Sequence, residues 1–367
     1  MSRRSFQFIV LAGLLLAAIF ADYRRAENYG YTPNPTGVEQ FIKELPKPYF
    51  RQAGADAMAK AEGKDTFLYR SLLRAHEARY GTPFVVGRQQ IGSCVAWGAH
   101  HAVWCAEAVS WELGEIPEPP LRPVTSVIYG GSRVEARQDN PEGFDGSSPR
   151  GGFGDGSFGA AAARWLKEFG VVYAQDYPGI FDYTSDGFTG SREREEGAYG
   201  AGGKGDNYRV DKLAKQHPCK HVVKVETWDE LCAAIESGYP VTVASGQGFS
   251  SRRSEGTGPE AGIAEASGVW MHQMVCLAIR HRKNGSPDDL ALILNSWGPN
   301  ASSGGKYPPD QPDGSFWARR SVVERMIRSD SWAIGGVDGF KYRDISHNKW
   351  LGLPSDFSKL VKPEKRL

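Results

Sequence analysis

Three residues in this chain have the types and surroundings for acyl-transfer chemistry: Cys94 after RQQIGS, His272 in WMHQMVCLAI and Asn295 in LALILNSWG. Cys94 stands where a Gly-Ser loop gives way to a run of apolar and small residues, which is the start of a predicted helix. A thiol becomes a nucleophile when its thiolate is stabilised. A helix N-terminus supplies roughly half a positive charge, and a nearby imidazolium supplies a whole one. His272 could provide the second, with Asn295 holding the ring in a useful orientation. Free N–H groups at the helix start, joined by a side-chain amide from Gln89 or Gln90, could receive a developing oxyanion.

The elements that must position these groups are legible around them. Residues 94 to 113 contain no proline and one internal glycine, Gly98, and they are apolar on nearly every face. That pattern predicts a buried helix about 30 Å long, with Gly98 admitting another backbone. The strands HQMVCLAI (272 to 279) and LALILN (290 to 295) flank the turn-rich RHRKNGSPDD. Pairing Ile279 with Leu290 places Asn295 opposite Met274. His272 shares a face with Met274 because side chains alternate with period two, so His272 and Asn295 become diagonal neighbours about 7–8 Å apart by backbone. A slip of one residue would separate them.

Three segments resemble papain-like cysteine peptidases, and most closely their bacterial and phage-type members. QQIGSCVAW is similar to the family's cysteine segment, WMHQMVCLAI to its histidine strand and LILNSWGPN to its Asn-Ser-Trp-Gly segment. GSFGAAAARWLKEFGVVYAQDYPG and DGSFWARR resemble the segments that lie between and after them. The resemblance implies an α+β fold of two lobes. A helical lobe (about 81 to 235) with a central buried helix would face an antiparallel, barrel-like β lobe (about 236 to 345), with the site in the cleft between. It also implies a Cys94-His272-Asn295 triad, Gln89 or Gln90 in the oxyanion hole, and Trp297 shielding the histidine-asparagine hydrogen bond. Peptide bonds would be hydrolysed through a thioester, on a protein or peptide substrate, without cofactor or metal. Arg88 occupies the position six before the cysteine where the family's glutamine usually stands, so a local slip is required. His272 follows Cys94 by 178 residues, more than the about 130–150 typical of this family. The alternatives are a binding or scaffold protein that keeps the fold without turnover, and a Cys-His amidase or transamidase acting on cell-wall peptides.

The remaining sequence sets the context. The chain has 367 residues, 40% hydrophobic and 24% charged, with net charge +1, so nothing global points to nucleic acid. A monomer is expected. Residues 1 to 21 have a positive start and an apolar run at 8 to 20, too short for a span of about 20 residues and suited to a secretory signal. Ser2-Arg3-Arg4-Ser5-Phe6 resembles a twin-arginine export signal. Export is therefore expected, with an uncleaved anchor as the alternative. Residues 22 to 80 form an N-terminal extension, its first part (22 to 50) expected as an extended linker and 53 to 80 as helix; no long inhibitory pro-segment is recognisable. The polar, glycine-rich 183 to 210 suggests a long surface loop with REREE (192 to 196) as a solvated face, and 346 to 367 a loose tail. Thr227 and Glu230 form a capping box. The five cysteines (94, 105, 219, 232, 276) are an odd number, which flags a reactive thiol. The other four could pair in three ways or stay free. His100 and His101 fit the core, and HPCKH (217 to 221) lacks the second ligand pair a zinc site needs.

Overall fold

The computed structural model describes residues 27–139, 155–184, 190–201, 210–219, 221–281, 289–335 and 339–345. The expected signal or anchor and the C-terminal tail lie outside them. Among the described residues no helix is long and apolar enough to cross a membrane.

In chain order the elements are β1 (Glu27–Asn28), α1 (Pro35–Glu44), α2 (Phe50–Ala53), α3 (Ala55–Lys60), β2 (Thr66–Phe67), α4 (Tyr69–Tyr80), α5 (Cys94–Glu112), α6 (Thr125–Asp139) and α7 (Gly159–Glu168). There follow β3 (Asp176–Tyr177), β4 (Phe181–Asp182), α8 (Gly190–Ala201), α9 (Asp211–Ala214), β5 (Val222–Lys224) and α10 (Trp228–Glu236). The last are β6 (Val241–Arg253), β7 (Ala264–Arg280), β8 (Leu290–Leu294), β9 (Ser315–Arg319), α11 (Arg320–Asp330) and β10 (Ser331–Ile334). The fold is α+β, with helices preceding an antiparallel sheet of order β5-β10-β6-β7-β8-β9. Among the described residues that path runs from β5 at one end to β9 at the other. Thr227 caps α10 with the expected box.

The register across β7 and β8 has two parts. At the turn end Arg280 pairs with Leu290 and Ile279 with Ala291, one residue away from the expected pairing. An irregularity between Cys276 and Ala278 absorbs the difference, and Cys276 then faces Ile293 and Val275 faces Leu294. Those last pairs are in the register that puts Asn295 opposite Met274. A β-bulge adds one residue on one strand only, so the expected pairing fails at the turn and holds at the end that carries the site.

Helix α5 is buried along most of its length, from Cys94 to Ser110. His100 and His101 sit in the core; a ring nitrogen of His100 stands 2.8 Å from the Pro123 carbonyl. Gly98 lies where β7 crosses the helix: a Cβ there would stand 3.1 Å from the Met274 carbonyl oxygen. Its lack of a side chain sets how near the histidine strand comes to the cysteine helix.

The N-terminal region departs from the expected linker. Asn34 caps α1 by accepting from the Gly37 N–H at 2.9 Å, and Pro35 occupies the first turn, where a missing N–H costs nothing. The helix then buries Phe41 completely against Trp332, ring centroids 5.0 Å apart. Sequence favoured a linker because TPNP and LPKP dominate its composition, while one short amphipathic helix with a large aromatic was enough to anchor it. Phe41→Ala should therefore lower unfolding free energy by about 3–5 kcal/mol in urea titration, as deletion of a core aromatic does. A loss below about 1 kcal/mol would return this segment to the status of a linker.

Candidate active site

Cys94 is the first residue of α5 and is fully buried. The backbone N–H of Gln273, the residue after His272, points at its sulfur from 3.4 Å. The Gln273 side chain donates to the Val95 carbonyl at 2.9 Å, pinning β7 to the first turn of α5. Two elements from distant parts of the sequence are thus fastened at the cysteine itself.

His272 Nε2 lies 2.8 Å from Asn295 Oδ1. The same Oδ1 accepts the Ser296 backbone N–H at 2.7 Å, which fixes the amide with its oxygen toward the histidine. Nε2 must then carry the proton and donate, leaving Nδ1 as the basic nitrogen. Nδ1 has no hydrogen-bond partner among the described residues. The Trp297 ring lies over His272, centroids 4.7 Å apart, where it limits water near the His272–Asn295 bond.

The two glutamines separate. Gln89 turns inward: its Oε1 accepts from Ser296 Oγ at 2.7 Å, so its Nε2 is the donor end, giving to the Ile91 carbonyl at 3.1 Å. Gln90 has an exposed side chain, so only Gln89 is brought to the Asn295–Ser296 segment. The loop is anchored from the other side as the Gln89 N–H donates to the Ser296 carbonyl at 2.8 Å and Gly298 N–H to Gly87 at 3.0 Å. This anchoring carries the slip that Arg88 required, with Arg88 itself bridging to Trp297 by backbone and its side chain exposed.

A chain segment missed by the sequence analysis covers these groups. Residues 27 to 32 run as a strap over the site, with β1 parallel to β7 at Trp270 and Met271. The N–H groups of Tyr29 and Tyr31 both donate to the Met271 carbonyl, at 3.1 and 3.3 Å. Gln89 Nε2 donates to the Tyr29 carbonyl at 2.8 Å. The Tyr29 ring packs on Trp297 at 4.3 Å and on His272 at 5.5 Å. Gly30 has φ +114°, and a Cβ there would fall 2.0 Å from the Gly92 carbonyl oxygen. No side chain fits at position 30 while the strap is seated.

Burial sets the protonation states of this closed arrangement. It pushes the Cys94 thiol up to about 12, with N–H groups of Gln273, Val95 and Cys94 pulling the other way and the charge of Asp155 adding to the rise. It pushes His272 down to about 4, opposed by the bond to Asn295. With the strap in place the pair is therefore neutral thiol and neutral imidazole. All five cysteines are free, so none of the candidate disulfides forms.

The REREE run, expected as a solvated loop face, lies in helix α8 with Glu193 and Glu196 buried. Glu193 Oε1 accepts the Trp97 indole N–H at 2.8 Å, one turn from Cys94. The spacing of Glu193, Glu196 and Gly197 on one helical face was present in the sequence. Charge alone gave no sign that the face was turned inward.

No family model and no curated protein matches this chain. Among solved structures it is similar to xylellain, a cysteine protease from Xylella fastidiosa, at 18% identity and TM-score 0.48, over 85% of this chain and 97% of that one. It is also similar to procathepsin B S9 from Trypanosoma congolense, at 11% identity and TM-score 0.45, over 86% and 88%. A third likeness is to the proform of Amb a 11, a ragweed pollen cysteine protease, at 14% identity and TM-score 0.42, over 83% and 75%.

Proposed function

We propose that this protein is a papain-like cysteine peptidase that hydrolyses peptide bonds in unstructured protein segments and is exported from the cell. The observation that carries the proposal is the His272 Nε2–Asn295 Oδ1 bond, which leaves Nδ1 as a base while the next residue along the strand contacts the Cys94 sulfur. In this assignment His272 takes the Cys94 proton. The sulfur attacks the peptide carbonyl, and the oxyanion is met by Gln89 Nε2 and the Cys94 backbone N–H. His272 then protonates the leaving amine, and water hydrolyses the thioester. The seat of the strap supports a peptide substrate: an extended backbone already pairs with β7 there and lends its Tyr29 carbonyl to Gln89.

The test uses the full-length chain carrying Gly30→Val, in which the strap cannot seat. This protein should cleave an unstructured substrate such as casein, and Cys94→Ala in the same background should abolish cleavage. Persistence of cleavage in the Cys94→Ala chain, or none in its parent, would end the peptidase assignment.

A further inference from the structure

The loop from Gly87 to Ser93 must hold the oxyanion donors in place, yet it belongs to no helix or strand. Its inner side is fastened to the Asn295 segment through Ser296 and Gly298. Its outer side is fastened by two carboxylates from elsewhere in the chain. Asp155 accepts the Gly92 N–H at 2.7 Å. Glu193, only 1% exposed, accepts the Trp97 indole N–H at 2.8 Å, and the Ser93 side chain and Gln90 backbone stand close enough to draw its carboxyl pKa down.

Glu193 is therefore bonded one turn into α5, at Trp97, and faces the residue after Gln89 and the residue before Cys94, which bracket the nucleophile. A carboxylate has about four lone-pair sites and can accept several donors at once, which a buried hydroxyl or amide cannot match. Burying this acid is costly in itself. Burial pushes its carboxyl up to about 7, while the bonds from Ser93 and Trp97 pull it down. A side chain needed only for packing would not require a charge-bearing group there.

Building on the peptidase assignment, we infer that Glu193 is a positioning residue for the oxyanion hole, holding the Gln89–Cys94 loop in its catalytic geometry through Gln90, Ser93 and Trp97. It touches no reacting atom and acts through the loop.

Two probes separate this role from a general structural one. A peptide aldehyde adds reversibly to the thiol, forming a carbon–sulfur bond while the thiol proton passes to the former carbonyl oxygen, which occupies the oxyanion position. Iodoacetamide alkylates the thiol and uses no oxyanion hole. Closure by the strap lowers both readings alike, so aldehyde affinity relative to the alkylation rate isolates the hole. In the full-length Gly30→Val chain that ratio should fall tenfold or more when Glu193→Ala is added, remain within about threefold with Glu193→Gln, which retains an acceptor oxygen, and fall by an intermediate factor with Trp97→Phe. Trp97→Phe keeps the measurement available should Glu193→Ala fail to fold. An unchanged ratio in Glu193→Ala and Trp97→Phe, or equal losses in Glu193→Ala and Glu193→Gln, would overturn the inference. A Gly30→Val chain that binds no aldehyde would instead overturn the peptidase assignment beneath it.

Discussion

Gly30→Val should raise the rate of Cys94 labelling by a thiol reagent by about 10²-fold, with the rest of the fold intact. The Gly92 carbonyl that a side chain at position 30 would meet is backbone, so no rotamer change relieves the overlap. The φ of +114° adds strain that a β-branched residue cannot relax. Against this stand a few backbone bonds and the stacking of Tyr29. A net penalty of about 3 kcal/mol corresponds to about 10²-fold in the open population. Mass spectrometry distinguishes strap release from unfolding: release exposes Cys94 while Cys105, Cys232 and Cys276 stay buried and unlabelled. Gly81→Val is the control, because Gly81 also has positive φ but nothing within 4 Å of its Cβ. Equal labelling in Gly30→Val and Gly81→Val would mean that the strap does not govern access.

Acid should open the same strap. His272 is held down at about 4 in the closed form, whereas an exposed imidazole titrates near 6.5. Below pH 6.5 the open form takes up a proton that the closed form refuses, so closure is fully favoured above that pH and weakens as pH falls toward 4. Each unit in this window shifts the balance about tenfold, for a total of about 10²-fold, levelling off below pH 4. The readout is hydrogen exchange at the amides of Tyr29 and Tyr31, both bonded to the Met271 carbonyl, corrected for intrinsic rates. Their protection should decline between pH 6.5 and 4 in the parent chain and become nearly flat in His272→Ala. A decline of the same size in both chains would assign the effect to other groups. Cys94 acts at the opposite end: its thiol is raised to about 12 in the closed form, so alkali above the ordinary thiol range also favours opening.

Sequence alone located Cys94 at a helix start, His272 and Asn295 on adjacent strands, and Gly98 as a point where another backbone comes close. Each follows from local physics: hydrophobic periodicity, the two-residue alternation of a strand, and the space left by a missing side chain. The His272–Asn295 register was legible only at one end, because the irregularity near Leu277 has no signature in an apolar run. The choice between Gln89 and Gln90 was not legible, since a loop has no period to tell inside from outside. It is Ser296, more than 200 residues later, that selects Gln89.

The strap and Glu193 were decided by tertiary structure for a related reason. Tyr29 and Gly30 matter through what stands opposite them, and Gly92, Met271 and Trp297 come from three separate regions of the chain. Glu193 looks the same in sequence whether it faces water or the head of α5. The types and order of the reactive residues belong to the sequence because local preferences place each one on its element. Whether those residues are exposed, paired and charged is set by long-range contacts, whose desolvation and hydrogen bonding no local pattern encodes.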